Sequence, residues 1–164
     1  MKTSRLLALP LALALAACAS TPPHATTDAR GEVARQVGNL LHAYAANDPA
    51  AVLALLDRRG FAMYGSDVAE VVHDPAGLRQ LMADDFALWR TARFGAPANM
   101  DIRVEGTAAS AFFDVPFSAG GRPPVTVRFG TAWRYDDGHW VLMQSSNTVP
   151  TTGSSAHELI SSAL

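Results

Sequence analysis

The spacing of apolar residues changes once along this chain, at Pro97, from near four to two, and that change decides which folds are open to it. Before Pro97 the pattern is helical. Val33, Val37, Leu40, Leu41 and Tyr44 fall on one stripe, Val52, Leu53, Leu55 and Leu56 on a shorter one, and Leu78, Leu81, Met82, Phe86 and Trp89 on a third. Asp28 is placed to cap the first helix. Asn47-Asp48-Pro49 reads as a helix stop followed by a restart, with Asp48 as N-cap and Pro49 at the first helical position, and His73-Asp74-Pro75 repeats the signal. Between the second and third stripes, Phe61 to Tyr64 reads as a short strand ended by Gly65.

After Pro97 the chain alternates. Met100, Ile102 and Val104 interleave with Asp101, Arg103 and Glu105, as in a strand with one wet face. Ser110 to Phe117 is a second strand, followed by the loop SAGGRPP. In the long third strand Val125, Val127, Phe129, Thr131, Trp133 and Tyr135 share a face. Asp136-Asp137-Gly138 is a strong hairpin turn, and Trp140 to Asn147 returns as the last strand. A loop from Thr148 to Ser155 then leads to a small closing helix over Ala156–Ala163. The expected order is α-α-β-α-β-β-β-β. This is an α+β fold in which a curved antiparallel sheet packs on three helices as an open cone, with a pocket lined by inward strand residues and the first helix.

The amino terminus reads differently. Lys2 and Arg5 precede Leu6–Ala17, about a dozen apolar residues where a bilayer span needs roughly 20. A charged start, a short apolar middle and small residues at the end describe an export signal. Leu15-Ala16-Ala17-Cys18 resembles the lipobox of bacterial lipoproteins, in which the cysteine is acylated and becomes the new amino terminus. The alternative is an ordinary secretory signal cut near Ala17 or Ala19, with Cys18 incidental. The lipobox resemblance implies a signal over 1–17, a tether over 18–27 and a domain over 28–164, anchored to membrane lipid through Cys18 in the bacterial cell envelope. Ala19 in place of Asp points, by the sorting pattern of that family, to the outer membrane facing the periplasm.

Loss of Lys2 and Arg5 with the signal leaves 11 arginines against 15 acids, a formal charge of −4, and no basic face for a nucleic acid. Cys18 is the only cysteine, so stability in an oxidising compartment rests on packing. His24, His42, His73, His139 and His157 show no metal-ligand spacing. His157-Glu158 begins a zinc-protease pattern, but Ser161 stands where its second histidine belongs. GSSAH from Gly153 lacks the closing glycine of a nucleophile elbow, and there is no glycine-rich phosphate loop. No metal or cofactor is expected.

Three segments carry a resemblance: YAANDPAAVLALL, YGSDVAE and WRYDDGHWVLMQSSN. In this order they resemble the SnoaL-like branch of the nuclear transport factor 2-like superfamily, over Glu32 to Val149. The resemblance implies the cone but not the activity, because the superfamily hosts isomerases, cyclases, dehydratases, binding proteins and assembly domains. The ketosteroid isomerase branch uses a tyrosine on the first helix, an aspartate base after the first strand and a second acid on a later strand. Aligned on the turn at Asp48, those positions fall near Leu40, Tyr64 and Thr131, none of which carries the needed group.

Asp67, just past a strand end, is the candidate catalytic base if it points into the cone mouth, with Glu70 beside it; the plainer reading makes Asp67 a turn cap and Glu70 a solvated acid. Tyr44, Tyr64, Trp89, Arg128, Trp133, Gln144 and Ser146 are the candidate pocket residues. Gln144 and Ser146 would offer neutral hydrogen-bonding groups, and an inward Arg128 would suit an acidic ligand. The opposing reading puts Arg128 and Arg134 on the outer face, paired with acids such as Asp114. The leading expectation is a binding or accessory domain for a small, partly apolar ligand, without catalysis. The alternatives are an isomerase- or dehydratase-like enzyme using Asp67, and a module whose purpose is homodimer assembly.

Overall fold

The computed structural model describes residues 28–150 together with positions 158 and 161; the signal, the tether and Cys18 lie outside the described residues, as does the closing helix except for those two positions, both helical. Three helices, α1 (Ala29–Ala45), α2 (Pro49–Leu55) and α3 (Pro75–Trp89), begin where the aspartates predicted. Asp28 accepts from the Gly31 amide at 3.2 Å, Asp48 from Ala51 at 2.9 Å, and Asp74 from Ala76 and Gly77 at 2.8 and 2.9 Å. Each carboxylate satisfies amides that the first helical turn leaves without partners. No described helix is long and apolar enough to cross a membrane.

Seven strands form one curved sheet: β1 (Ala62–Tyr64), β2 (Val71–Val72), β3 (Ala92–Phe94), β4 (Ala98–Glu105), β5 (Ala108–Ala119), β6 (Val125–Asp136) and β7 (His139–Thr148). The architecture is the α+β cone, with two strands more than the sequence reading gave. At two and three residues, β2 and β3 are too short to show a period. β3 and β4 share one edge of β5: Phe94 pairs with Phe117, and Ile102 with Ala111. Gly95 marks the break between them. Its amide donates to Pro116 O at 2.7 Å, and a Cβ there would sit 3.1 Å from the Pro116 ring, so a side chain is poorly tolerated at this bend.

The pairing is antiparallel except at one seam. β1 runs parallel to β7, with Ala62 opposite Gln144 and Tyr64 opposite Ser146. The β6–β7 hairpin turns on Asp137 and Gly138, whose φ values of 47° and 85° suit a tight two-residue connection. Within that hairpin the register slips: Ala132 faces Gln144 while Trp133 faces Leu142, leaving Met143 as the extra residue of a β-bulge.

The core lies between the helices and the concave face of the sheet. Val33 and Val37 of α1, Val52 of α2, and Leu78 and Met82 of α3 meet Phe113, Val115, Trp133, Trp140 and Leu142, all fully buried. Three hydrogen bonds tie polar atoms into this core: Trp133 Nε1 donates to Thr131 Oγ1 at 2.9 Å, Thr131 Oγ1 to Ala111 O at 3.0 Å, and Trp140 Nε1 to Glu32 Oε2 at 3.2 Å. Along β6 the inward side chains divide. Trp133 fills the end near the hairpin turn, whereas Val125, Val127 and Phe129 line open space at the other end.

Candidate functional site

That open space is a cavity of about 290 Å³ bounded by α1, α3, β1, the loop after β1 and the far halves of β5, β6 and β7. Most of its wall is apolar. Leu40, Leu41, Leu81, Met63 and Val127 contribute aliphatic surface. Trp89, Phe94 and Phe117 form an aromatic side, with Trp89 and Phe117 centroids 4.9 Å apart and Phe94 and Phe117 5.0 Å apart.

The polar groups gather on one side. Tyr44 of α1 donates its hydroxyl to Asp85 Oδ2 of α3 at 2.5 Å. Burial, then this bond and the neighbouring charges of Asp85 and Glu70, push the Tyr44 hydroxyl well above the usual tyrosine range, so it stays a neutral donor. Burial also raises the Asp85 carboxyl; Tyr44 opposes the shift by bonding the charged form, and Glu70 and Asp84 reinforce it by repulsion. Glu70 is held by the loop that follows β1, its carboxylate accepting from the Asp67 amide at 3.1 Å. The loop fits because residue 65 is glycine: a Cβ there would stand 2.5 Å from the Cβ of Glu70. Ser145 and Asn147 of β7 complete the polar lining.

The structure brings Tyr44, Tyr64 and Trp89 together at this cavity. It places the other sequence candidates elsewhere. Asp67 is exposed and accepts from the Ala69 amide at 2.8 Å, so it closes a turn instead of facing the cavity. Arg128 lies on the outer sheet face, its Nε 2.8 Å from Asp114, because it has the opposite parity to Val127 and Phe129. Trp133 has the expected parity but is core rather than lining. Gln144 and Ser146 are exposed: the bulge at Met143 exchanges the faces of everything after it, and Ser145 and Asn147 turn inward in their place. Gln144 instead borders a shallow outer depression with Arg134, whose guanidinium pairs with the buried Asp57 at 2.5 Å.

Sequence reasoning missed Asp85. The signal was present: Asp85 follows Leu81 by four residues and precedes Trp89 by four, so it is an acid inside an apolar stripe. Tyr44 likewise lies one helical turn beyond Leu40, and both face the cavity. Among the described residues no group of three or more His, Cys, Asp or Glu could hold a metal ion.

No protein-family profile matches the chain, and no curated protein matches it. Solved structures do. A nuclear transport factor 2-like superfamily protein from Salmonella enterica superposes with a TM-score of 0.67 at 16% identity, covering 77% of this chain and 94% of that one. The fold is that of the nuclear transport factor 2-like proteins. A proposed dehydratase of the nuclear transport factor 2-like family from Streptomyces avermitilis gives 0.65 at 13% identity, over 75% of this chain and 97% of that one. A hexachlorocyclohexane dehydrochlorinase from Novosphingobium barchaimii gives 0.64 at 12%, over 77% and 92%. At these identities the likeness establishes the nuclear transport factor 2-like architecture and leaves chemistry to be argued from the cavity.

Proposed function

We propose that this chain is a lipid-tethered protein of the bacterial cell envelope that holds one small, largely apolar molecule in its cavity. The observation that carries the reading is the cavity itself: about 290 Å³, mostly apolar, with Tyr44, Asp85 and Glu70 concentrated on one side. The volume is at the lower end of small-molecule sites, which run from about 300 Å³ upward. An apolar wall supplies affinity by burying ligand surface, and the Tyr44–Asp85 pair fixes orientation by hydrogen bonding. The tether rests on Leu15-Ala16-Ala17-Cys18 and the short apolar run before it. Native mass spectrometry of the protein purified from its own host tests the binding reading, with a co-purifying small molecule expected; replacing Tyr44 with Phe and Asp85 with Asn is expected to release it. An empty wild-type protein refutes the reading. Cys18→Ser is expected to move the protein from the membrane fraction to the soluble fraction. Unchanged membrane partitioning refutes the tether.

A second reading is favoured by the raised Asp85 carboxyl. A carboxyl that titrates closer to neutrality is a better proton shuttle, and the neutral Tyr44 hydroxyl becomes a hydrogen-bond donor for a developing oxyanion when a ligand displaces its bond to Asp85. In an isomerase- or dehydratase-like reaction the base is then Asp85 and not Asp67. Solvent deuterium exchange into a bound carbonyl compound, lost in Asp85→Asn and kept in Asp67→Asn, is the expected result. Loss on replacing Asp67 alone overturns this assignment.

A further inference from the structure

We propose that the ligand of this cavity is an apolar amine, bound as its ammonium cation between the aromatic wall and the carboxylates of Glu70 and Asp85. The inference rests on the binding reading above and adds the charge of the ligand. Three observations converge on it.

The cavity is lined by two acids and, among the described residues, by no Arg, Lys or His. Arg128, which one reading of the sequence turned inward, lies on the outer sheet face and is held by Asp114. An acidic ligand would therefore meet two carboxylates with no compensating charge. Glu70 and Asp85 are also close enough to repel each other, and neither has a cationic partner in the cavity. Partly buried like charges are stabilised by a cation that reaches both.

Aromatic rings stand beside these acids: Tyr44, which bonds Asp85, lies 6.3 Å from Trp89 and 6.4 Å from Phe94 between ring centroids. Trp89, Phe94, Phe117 and Phe129 present rings to the same space, and ring faces attract a desolvated ammonium group. A hydrated metal ion does not suit this environment, since it needs several oxygen ligands and little apolar contact. An organic cation satisfies both the rings and the acids. The mouth agrees: Tyr64, Leu88, Val125 and Val149 line the cavity while 46%, 80%, 47% and 49% exposed, so a ligand with an apolar body covers surface that otherwise faces water.

Three probes of equal shape test this by isothermal titration with the purified chain at pH 7: 4-phenylbutylamine, 4-phenylbutanol and 4-phenylbutyrate. The amine is expected to bind at least tenfold more tightly than the alcohol, and the carboxylate more weakly than either. In Asp85→Asn/Glu70→Gln the amine is expected to lose its preference and to bind no more tightly than the alcohol. Glu70→Gln alone, at the cavity mouth, is expected to give a partial loss and serves if the double variant does not fold. Equal binding of amine and alcohol, tighter binding of the carboxylate, or an amine preference that survives the substitutions overturns the charge assignment and leaves the cavity as a binding site. Failure of all three probes to bind overturns the cavity reading with it.

Discussion

Asp85 places a carboxyl group in a helical stripe that otherwise consists of Leu78, Leu81, Met82, Phe86 and Trp89, and burial there holds its proton more tightly than water would. The folded state therefore binds this proton over a pH range in which the unfolded chain has released it. Stability is expected to fall as pH rises from about 3.9, the ordinary aspartate value, through the raised folded value. Asp85→Asn removes that loss while keeping an acceptor for Tyr44. Its melting temperature is expected to exceed wild type at pH 7 by no more than ~2 °C, because the group is only partly buried, and to match it below about pH 4. Carbon-detected NMR of the carboxyl gives a second check. Tyr44→Phe removes the bond that favours the charged form, so the midpoint is expected to rise further. Gly65→Ala displaces Glu70, so the midpoint is expected to fall. Asp85 was legible as an acid at core spacing. Asp67 drew the catalytic assignment because it follows a strand end, but its carboxylate closes a local turn with the Ala69 amide, which is the plainer of the two readings its position allowed.

Helix starts were the most legible elements, because a capping aspartate followed by proline is a local signal with a local cause. Asp48→Ala and Asp74→Ala are each expected to cost ~1 kcal/mol in denaturant unfolding, since each leaves amide groups of the first turn without their acceptor. The inward face of β7 was not legible. Alternation from Trp140 and Leu142 predicts Gln144 and Ser146 inside, and one extra residue, Met143, reverses the answer. Deleting Met143 returns β7 to strict alternation with Leu142, Ser145 and Asn147 still inward. It is expected to leave a folded domain by near-ultraviolet circular dichroism. Deleting Ser145 exchanges the faces of the residues after it and is expected to abolish the folded signal. Equal tolerance of the two deletions would refute this account of the bulge.

At the scale of the whole molecule, Trp133 separates a filled end of the cone from an open one. It is fully buried and its indole is hydrogen-bonded, so Trp133→Ala is expected to cost ~3–5 kcal/mol by chemical denaturation, more than any substitution on the cavity wall. The change of period at Pro97 made the division into helices and sheet readable, because each half repeats its own spacing. The seam where β1 meets β7 was not, since nothing near Ala62 in the sequence encodes a partner at Gln144. That seam has a consequence for how the chain is made. A nascent polypeptide cannot assemble the completed sheet until residue 148 has left the ribosome, so β1 waits for its partner until β7 has been made. Contacts so distant along the backbone also slow acquisition of structure, toward the millisecond-to-second regime of nonlocal topologies.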